Sequence, residues 1–204
     1  MSDIILDEKH QYRVAGKKYP GVNEIIRLAG LGTDYFGEAA ERKKNIGIAV
    51  HKAIALDLAA NLDFKSLSGP VLDYFKGYQK FKADFQIKPF LFEKMLFSEK
   101  WGFCGMLDFV GMVKDVLTLV DWKCSKVPAK EVSIQLGAYE TLLIDNKFQP
   151  VANRMTVHLF ENGDYKIHEH KDERQMFLAA LLVAKRIVAD KFGGDYGKAS
   201  EARQ

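Results

Sequence analysis

The sequence predicts an α/β fold: a central mixed β-sheet flanked by α-helices, with an N-terminal β-hairpin and short helix added to it. Three observations predict this. Three successive runs in mid-chain, residues 90–98, 102–113 and 116–123, are rich in Val, Leu and Phe and read as strands. Segments with apolar residues three and four apart lie on both sides of those runs, as amphipathic helices require. A further strand pair, residues 154–160 and 165–168, follows one of these helices.

The elements can be justified in order. Residues 4–6 and 12–14 are short apolar runs, and Ala15-Gly16-Lys17 is a turn signal before Lys18-Tyr19. Pro20-Gly21 breaks the chain, and Asn23 is the expected N-cap of a short helix that Gly30 ends. A longer helix is predicted over 37–60, with Gly47, His51, Ile54 or Ala55, and Leu58 on one face. Pro70 suits the first turn of the next helix, whose stripe of Val71, Phe75, Tyr78, Phe81 and Phe85 reads as core packing. Lys114-Asp115 is a tight hairpin loop between the second and third mid-chain strands. A helix over 131–145 places Gln135, Tyr139 and Leu142 on one face, and a last helix is predicted over 172–191. The expected organisation is an addition at 1–36, a main domain at 37–192 and a flexible tail at 193–204.

Composition narrows the classes of function. Of 204 residues, 48% are hydrophobic and 28% charged, which suits a soluble globular chain with a buried core. No apolar run approaches the ~20 residues of a bilayer span, and the start lacks the pattern of a signal peptide. Only Cys104 and Cys124 are present, expected as reduced thiols of a cytoplasmic protein, with a single disulfide left open. The net charge of +3 is too small to announce nucleic-acid binding, but Arg42-Lys43-Lys44 and the set Lys76, Lys80 and Lys82 allow a local basic surface. There is no Gly-x-Ser-x-Gly elbow and no Gly-x-x-x-x-Gly-Lys phosphate loop, against serine hydrolases and nucleotide hydrolases.

Chemistry concentrates at Val120-Asp121-Trp122-Lys123. Alternation along a strand points Asp121 and Lys123 the same way and Trp122 into the opposite layer. A carboxylate beside an ammonium suits phosphodiester hydrolysis. Asp121 and the Trp122 carbonyl are oxygen ligands of the kind hard cations take. Lys123 would meet the attacking water or the developing charge, its proton loosened by the nearby cation. Alone, Asp-x-Lys also describes a surface ion pair. Asp108 shifts the balance: it interrupts the apolar run Phe103–Val113, where a lone carboxylate needs a partner or a metal. Asp108 and Asp121 are expected to converge from neighbouring antiparallel strands. Gly105 leaves a gap where backbone or ligand could approach. Glu93, in the preceding strand, is either a further site carboxylate or a solvent-facing residue. Gly47 leaves a bare spot one turn before His51. His158, His168 and His170 offer a zinc-like grouping, but one without cysteine.

Taken in order, Gly47-x-x-x-His51, Glu93, Gly105-x-x-Asp108, Asp121-x-Lys123 and Gln135-x-x-x-Tyr139 resemble the RecB-like exonuclease branch of the PD-(D/E)XK nuclease superfamily. The region around Tyr12, Gly16 and residues 20–31 is similar to the leader of phage-type members. The resemblance implies a restriction-endonuclease-like core and an Mg²⁺- or Mn²⁺-dependent deoxyribonuclease, more exonuclease than sequence-specific enzyme. It implies His51, Asp108, Asp121 and the Trp122 carbonyl as metal ligands, Lys123 as the catalytic lysine, and Glu93 as an active-site carboxylate. Gln135, Tyr139, Gly47 and Gly105 would support the site or bind DNA. With two cysteines rather than four, no iron–sulfur cluster is expected. DNA is the implied partner, with a helicase or single-strand annealing protein beside it, in DNA recombination or repair in a bacterial or phage-infected cytoplasm. The alternatives are a structure- or sequence-specific endonuclease on the same fold and a catalytically inactive DNA-binding module.

Overall fold

The tight turn at Lys114-Asp115 sets the centre of the molecule. Both residues have positive φ, 46° and 62°, the pair of values that matches a two-residue hairpin turn to the twist of its strands. It joins β5 (Phe103–Val113) to β6 (Val116–Lys123) as an antiparallel pair. The structure, a computed structural model, describes residues 3–7, 11–33, 37–125 and 130–192, with side chains up to 188. The expected tail at 193–204 therefore lies outside the described residues.

β4 (Lys88–Ser98) pairs antiparallel with β5 on its other side. After β6, the helix α4 (Val132–Asp145) carries the chain over to β7 (Asn153–Leu159), which runs parallel to β6, and β8 (Tyr165–Glu169) returns antiparallel. The five strands stand in the order β4-β5-β6-β7-β8, a mixed sheet flanked by helices on both faces.

Two cores form on the two faces. On one, α2 (Glu38–Leu58) and α3 (Gly69–Phe85) cover Phe109, Val120, Trp122 and Val157. The aromatic stripe of α3 is core, as its spacing predicts: Phe75, Tyr78 and Phe81 are fully buried, and Tyr78 and Phe81 meet Trp122 edge-on. On the other face, α1 (Val22–Leu28), α4 and α5 (Arg174–Phe192) cover Leu96, Phe103, Leu107, Val110 and Leu119. α4 is buried nearly all round, polar Gln135, Glu140 and Thr141 included.

The N-terminal strands β1 (Ile4–Leu6), β2 (Tyr12–Val14) and β3 (Lys17–Tyr19) form a separate antiparallel sheet, so the expected hairpin gains a third strand. The chain then docks on β5, where the Cys104 amide donates to the Pro20 carbonyl at 3.0 Å. Gly21, not Asn23, is the N-cap of α1, and Asn23 lies inside the first turn. The tertiary contact decides this start: a Cβ on Gly21 would stand 2.9 Å from the Tyr12 ring. Among the described residues no helix is long and apolar enough to cross a membrane.

Candidate metal centre

The site lies where β5 and β6 part. Their pairing runs from Val113↔Val116 to Phe109↔Val120 and stops. The next pair in that register is Asp108 and Asp121. Instead of continuing the ladder, the Trp122 amide donates to Asp108 Oδ2 at 2.9 Å. β6 continues alongside β7, with Asp121 beside Thr156 and Lys123 beside His158.

β4 and β5 change face at the same level. Leu107 and Val110, three residues apart, lie in one core, so strict alternation has been broken between them. Across from them Leu96 and Leu91, five apart, also lie on that side. Between Leu91 and Leu96 stands Glu93, whose φ is +44°. This left-handed backbone is costly for a residue with a Cβ and concentrates at functional sites. Phe92 and Lys94 pair with Phe109 and Leu107, while Glu93 and Asp108 face each other without a backbone pairing.

Ligand atoms of His51, Glu93 and Asp108 lie within 4.8 Å of one another, the one such His/Cys/Asp/Glu group among the described residues. His51 reaches in from α2. Its Nδ1 is 3.3 Å from Asp108 Oδ1, and its Nε2 donates to the Trp122 carbonyl at 2.9 Å. Burial works against charge on the imidazole, but the Asp108 carboxylate outweighs it and raises the pKa to about 9. Burial and the charge of Asp108 push Glu93 up to about 7. Burial also raises Asp108, but the imidazolium and Lys123 overcome it and hold this carboxyl low.

Asp121 and Lys123 point the same way, as alternation predicts, and form an ion pair with Oδ2 and Nζ 2.7 Å apart. Burial raises the Asp121 pKa and Lys123 opposes the rise. Burial would lower the pKa of Lys123, but Asp121 and Asp108 raise it, so it stays an ammonium. It donates to Gln135 Oε1 at 3.1 Å, and Gln135 Nε2 donates to Tyr139 Oη at 2.9 Å. α4 thus holds the lysine from the opposite face to His51.

Other expected residues fall differently. Gly105 is not a gap for a ligand: a Cβ there would meet Leu142 at 2.8 Å, Val22 at 2.9 Å and Tyr139 at 3.2 Å. At Gly47 nothing among the described residues lies within 4 Å of the Cβ position. Lys76, Lys80 and Lys82 are neutralised by Asp73, Asp164 and Asp57 at 3.0, 2.7 and 2.6 Å. His158 Nδ1 donates to the Ser125 carbonyl at 2.7 Å, and His170 Nε2 bonds the Thr156 hydroxyl at 2.9 Å, so these imidazoles have structural partners. Cys104 and Cys124 are both free thiols. Sequence reasoning gave Tyr12 no place at the site. Its phenol is pushed up to about 12 by burial and then by Cys104 and Glu93, which sets it beside the Glu93 wall. No local pattern signals a contact across that separation.

The fold and site define a class: an α/β protein whose central strands part to gather carboxylates, an imidazole and a buried ammonium at one end of a mixed sheet. No protein-family model matches the chain, and no curated protein matches it closely. Among solved structures it is similar to that of a "Putative exonuclease" from Eubacterium rectale, with 12% identity over 86% of this chain and 82% of that one and a TM-score of 0.49.

Proposed function

We propose that the protein is an Mg²⁺- or Mn²⁺-dependent deoxyribonuclease of the PD-(D/E)XK type, acting as an exonuclease. The observation that carries the reading is the meeting of His51, Glu93 and Asp108 within 4.8 Å beside the Asp121–Lys123 pair. The donor set fits a hard divalent cation, which prefers carboxylate and carbonyl oxygens.

Asp108, Asp121, Glu93, His51 and the Trp122 carbonyl would hold the ion. When bound, a divalent cation acidifies water and polarises the phosphate. The rest falls to the chain itself. His51 must give up its proton to become a ligand, since only the neutral imidazole binds metal. Lys123, held by Gln135 and Asp121, orients the attacking water and meets charge developing on the phosphate. Tyr139 fixes the Gln135 amide, and through it the ammonium. DNA is the substrate in this reading, and unwinding falls to a partner protein.

The test is incubation of end-labelled linear DNA with Mn²⁺, with and without chelator, for the parent, Asp121→Ala and Lys123→Ala. The parent should shorten the DNA from an end only with metal, and both variants should be inactive while folded. Either variant cutting at the parental rate would sink the assignment. Cleavage of covalently closed circles would favour an endonuclease, and metal-dependent binding without cleavage a module that has lost catalysis.

A further inference from the structure

The α2 helix extends well beyond the imidazole it supplies, and its outer part has features that packing does not explain. Gly47 lies in the interior of a 21-residue helix. Glycine there costs about 1 kcal/mol relative to alanine. A close neighbour normally accounts for such a residue, as Leu142 and Val22 do at Gly105, yet nothing lies within 4 Å of the Cβ position at Gly47. Beside it Ile48 is 52% exposed. One turn before Gly47 stand Lys43 and Lys44, both exposed. Neither makes a side-chain ion pair or hydrogen bond among the described residues, in contrast to the neutralised Lys76, Lys80 and Lys82 of α3.

The spacing aligns these features. Lys44, Gly47, Ile48 and His51 stand at i, i+3, i+4 and i+7, one face of a helix. That face therefore runs from the metal centre outward as imidazole, bare backbone with an apolar side chain, then unpaired positive charge. Lys44 lies about 10 Å along the axis from His51, at ~1.5 Å per residue. A stacked strand advances ~3.4 Å per nucleotide, so the ammonium falls about three nucleotides from the reacting phosphate.

We propose that this face of α2 is the track for one strand of the substrate DNA: Lys44, flanked by Lys43, takes a phosphate, bare Gly47 lets the sugar-phosphate chain lie against the helix, and Ile48 contacts a base or sugar. This rests on the nuclease reading above and adds the path of the substrate to it. The charges are complementary, since an unpaired ammonium opposite a phosphate releases counterions on binding.

The experiment is steady-state hydrolysis of an end-labelled 12-nucleotide single strand with Mn²⁺ over a range of salt, for the parent, Lys44→Gln, Gly47→Leu and the control Lys76→Gln. Lys44→Gln should raise KM at least fivefold with kcat within about twofold, and should flatten the salt dependence of KM. Gly47→Leu should raise KM similarly while its unfolding temperature holds or rises, because the open face accepts the side chain and leucine favours helix. That combination separates a lost contact from a damaged fold. Lys76→Gln should match the parent. A parental KM in Lys44→Gln and Gly47→Leu, or an equal loss in Lys76→Gln, would overturn the track and leave the nuclease reading standing. A parent that cleaves neither this strand nor the same strand in a duplex would take both down.

Discussion

His51 Nδ1 stands 3.3 Å from Asp108 Oδ1, so a protonated imidazole provides the positive charge beside that carboxylate. Folded, the imidazole titrates at about 9; unfolded, it titrates near 6.5. The folded state therefore holds the extra proton between these values. The stabilisation is complete below about pH 6.5 and is lost as pH rises through about 9. Thermal unfolding in chelator should show Tm falling over this window, and His51→Gln should flatten the fall. An unchanged slope in the variant would mean that the pair does not carry the effect.

Glu93 combines a left-handed backbone with a carboxylate facing Asp108. Asparagine tolerates that backbone and carries no charge. Glu93→Asn should leave the metal-free Tm equal or higher, while the rise in Tm on adding Mn²⁺ shrinks by more than half. A variant that gains as much from Mn²⁺ as the parent would remove Glu93 from the ligand set.

Gly105 lies under Leu142, Val22 and Tyr139. Gly105→Ala should overpack this contact and cost about 1–3 kcal/mol by urea unfolding. Because Tyr139 anchors Gln135, and Gln135 anchors Lys123, activity should fall as well. Parental stability in this variant would show that α4 moves aside easily.

Glu140 is 2% exposed and bonds Arg154 through both carboxylate oxygens, with Arg174 at 3.6 Å. The cluster ties α4 to β7 and α5, away from the metal centre. Glu140→Ala should cost about 3–5 kcal/mol, because it strands a largely buried Arg154 guanidinium. At a temperature where the variant is folded, kcat should be near parental. A loss below 1 kcal/mol would show that solvent reaches Arg154.

Local periodicity carried much of this architecture into the sequence. The bounds of β6, the opposite facing of Trp122 and the Asp121–Lys123 pair, and the core stripe of α3 all follow from repeats of 2 and 3.6 residues. The hairpin at Lys114-Asp115 likewise sets β5 antiparallel to β6, with their pairing ending one step before Asp108 and Asp121. What the tertiary structure alone decided lies where that periodicity breaks or where partners are distant in the chain. The left-handed Glu93 lies where both strands change face, a break that alternation has no means to foretell. His51 meets Trp122 across 71 residues. Whether a lysine is free is set by carboxylates on other elements, as Lys80 and Asp164 show across 84 residues. Gly47 and Gly105 are the same residue type, yet one is open and the other filled. A sequence records the period of each element, whereas the space around a side chain depends on which elements pack there.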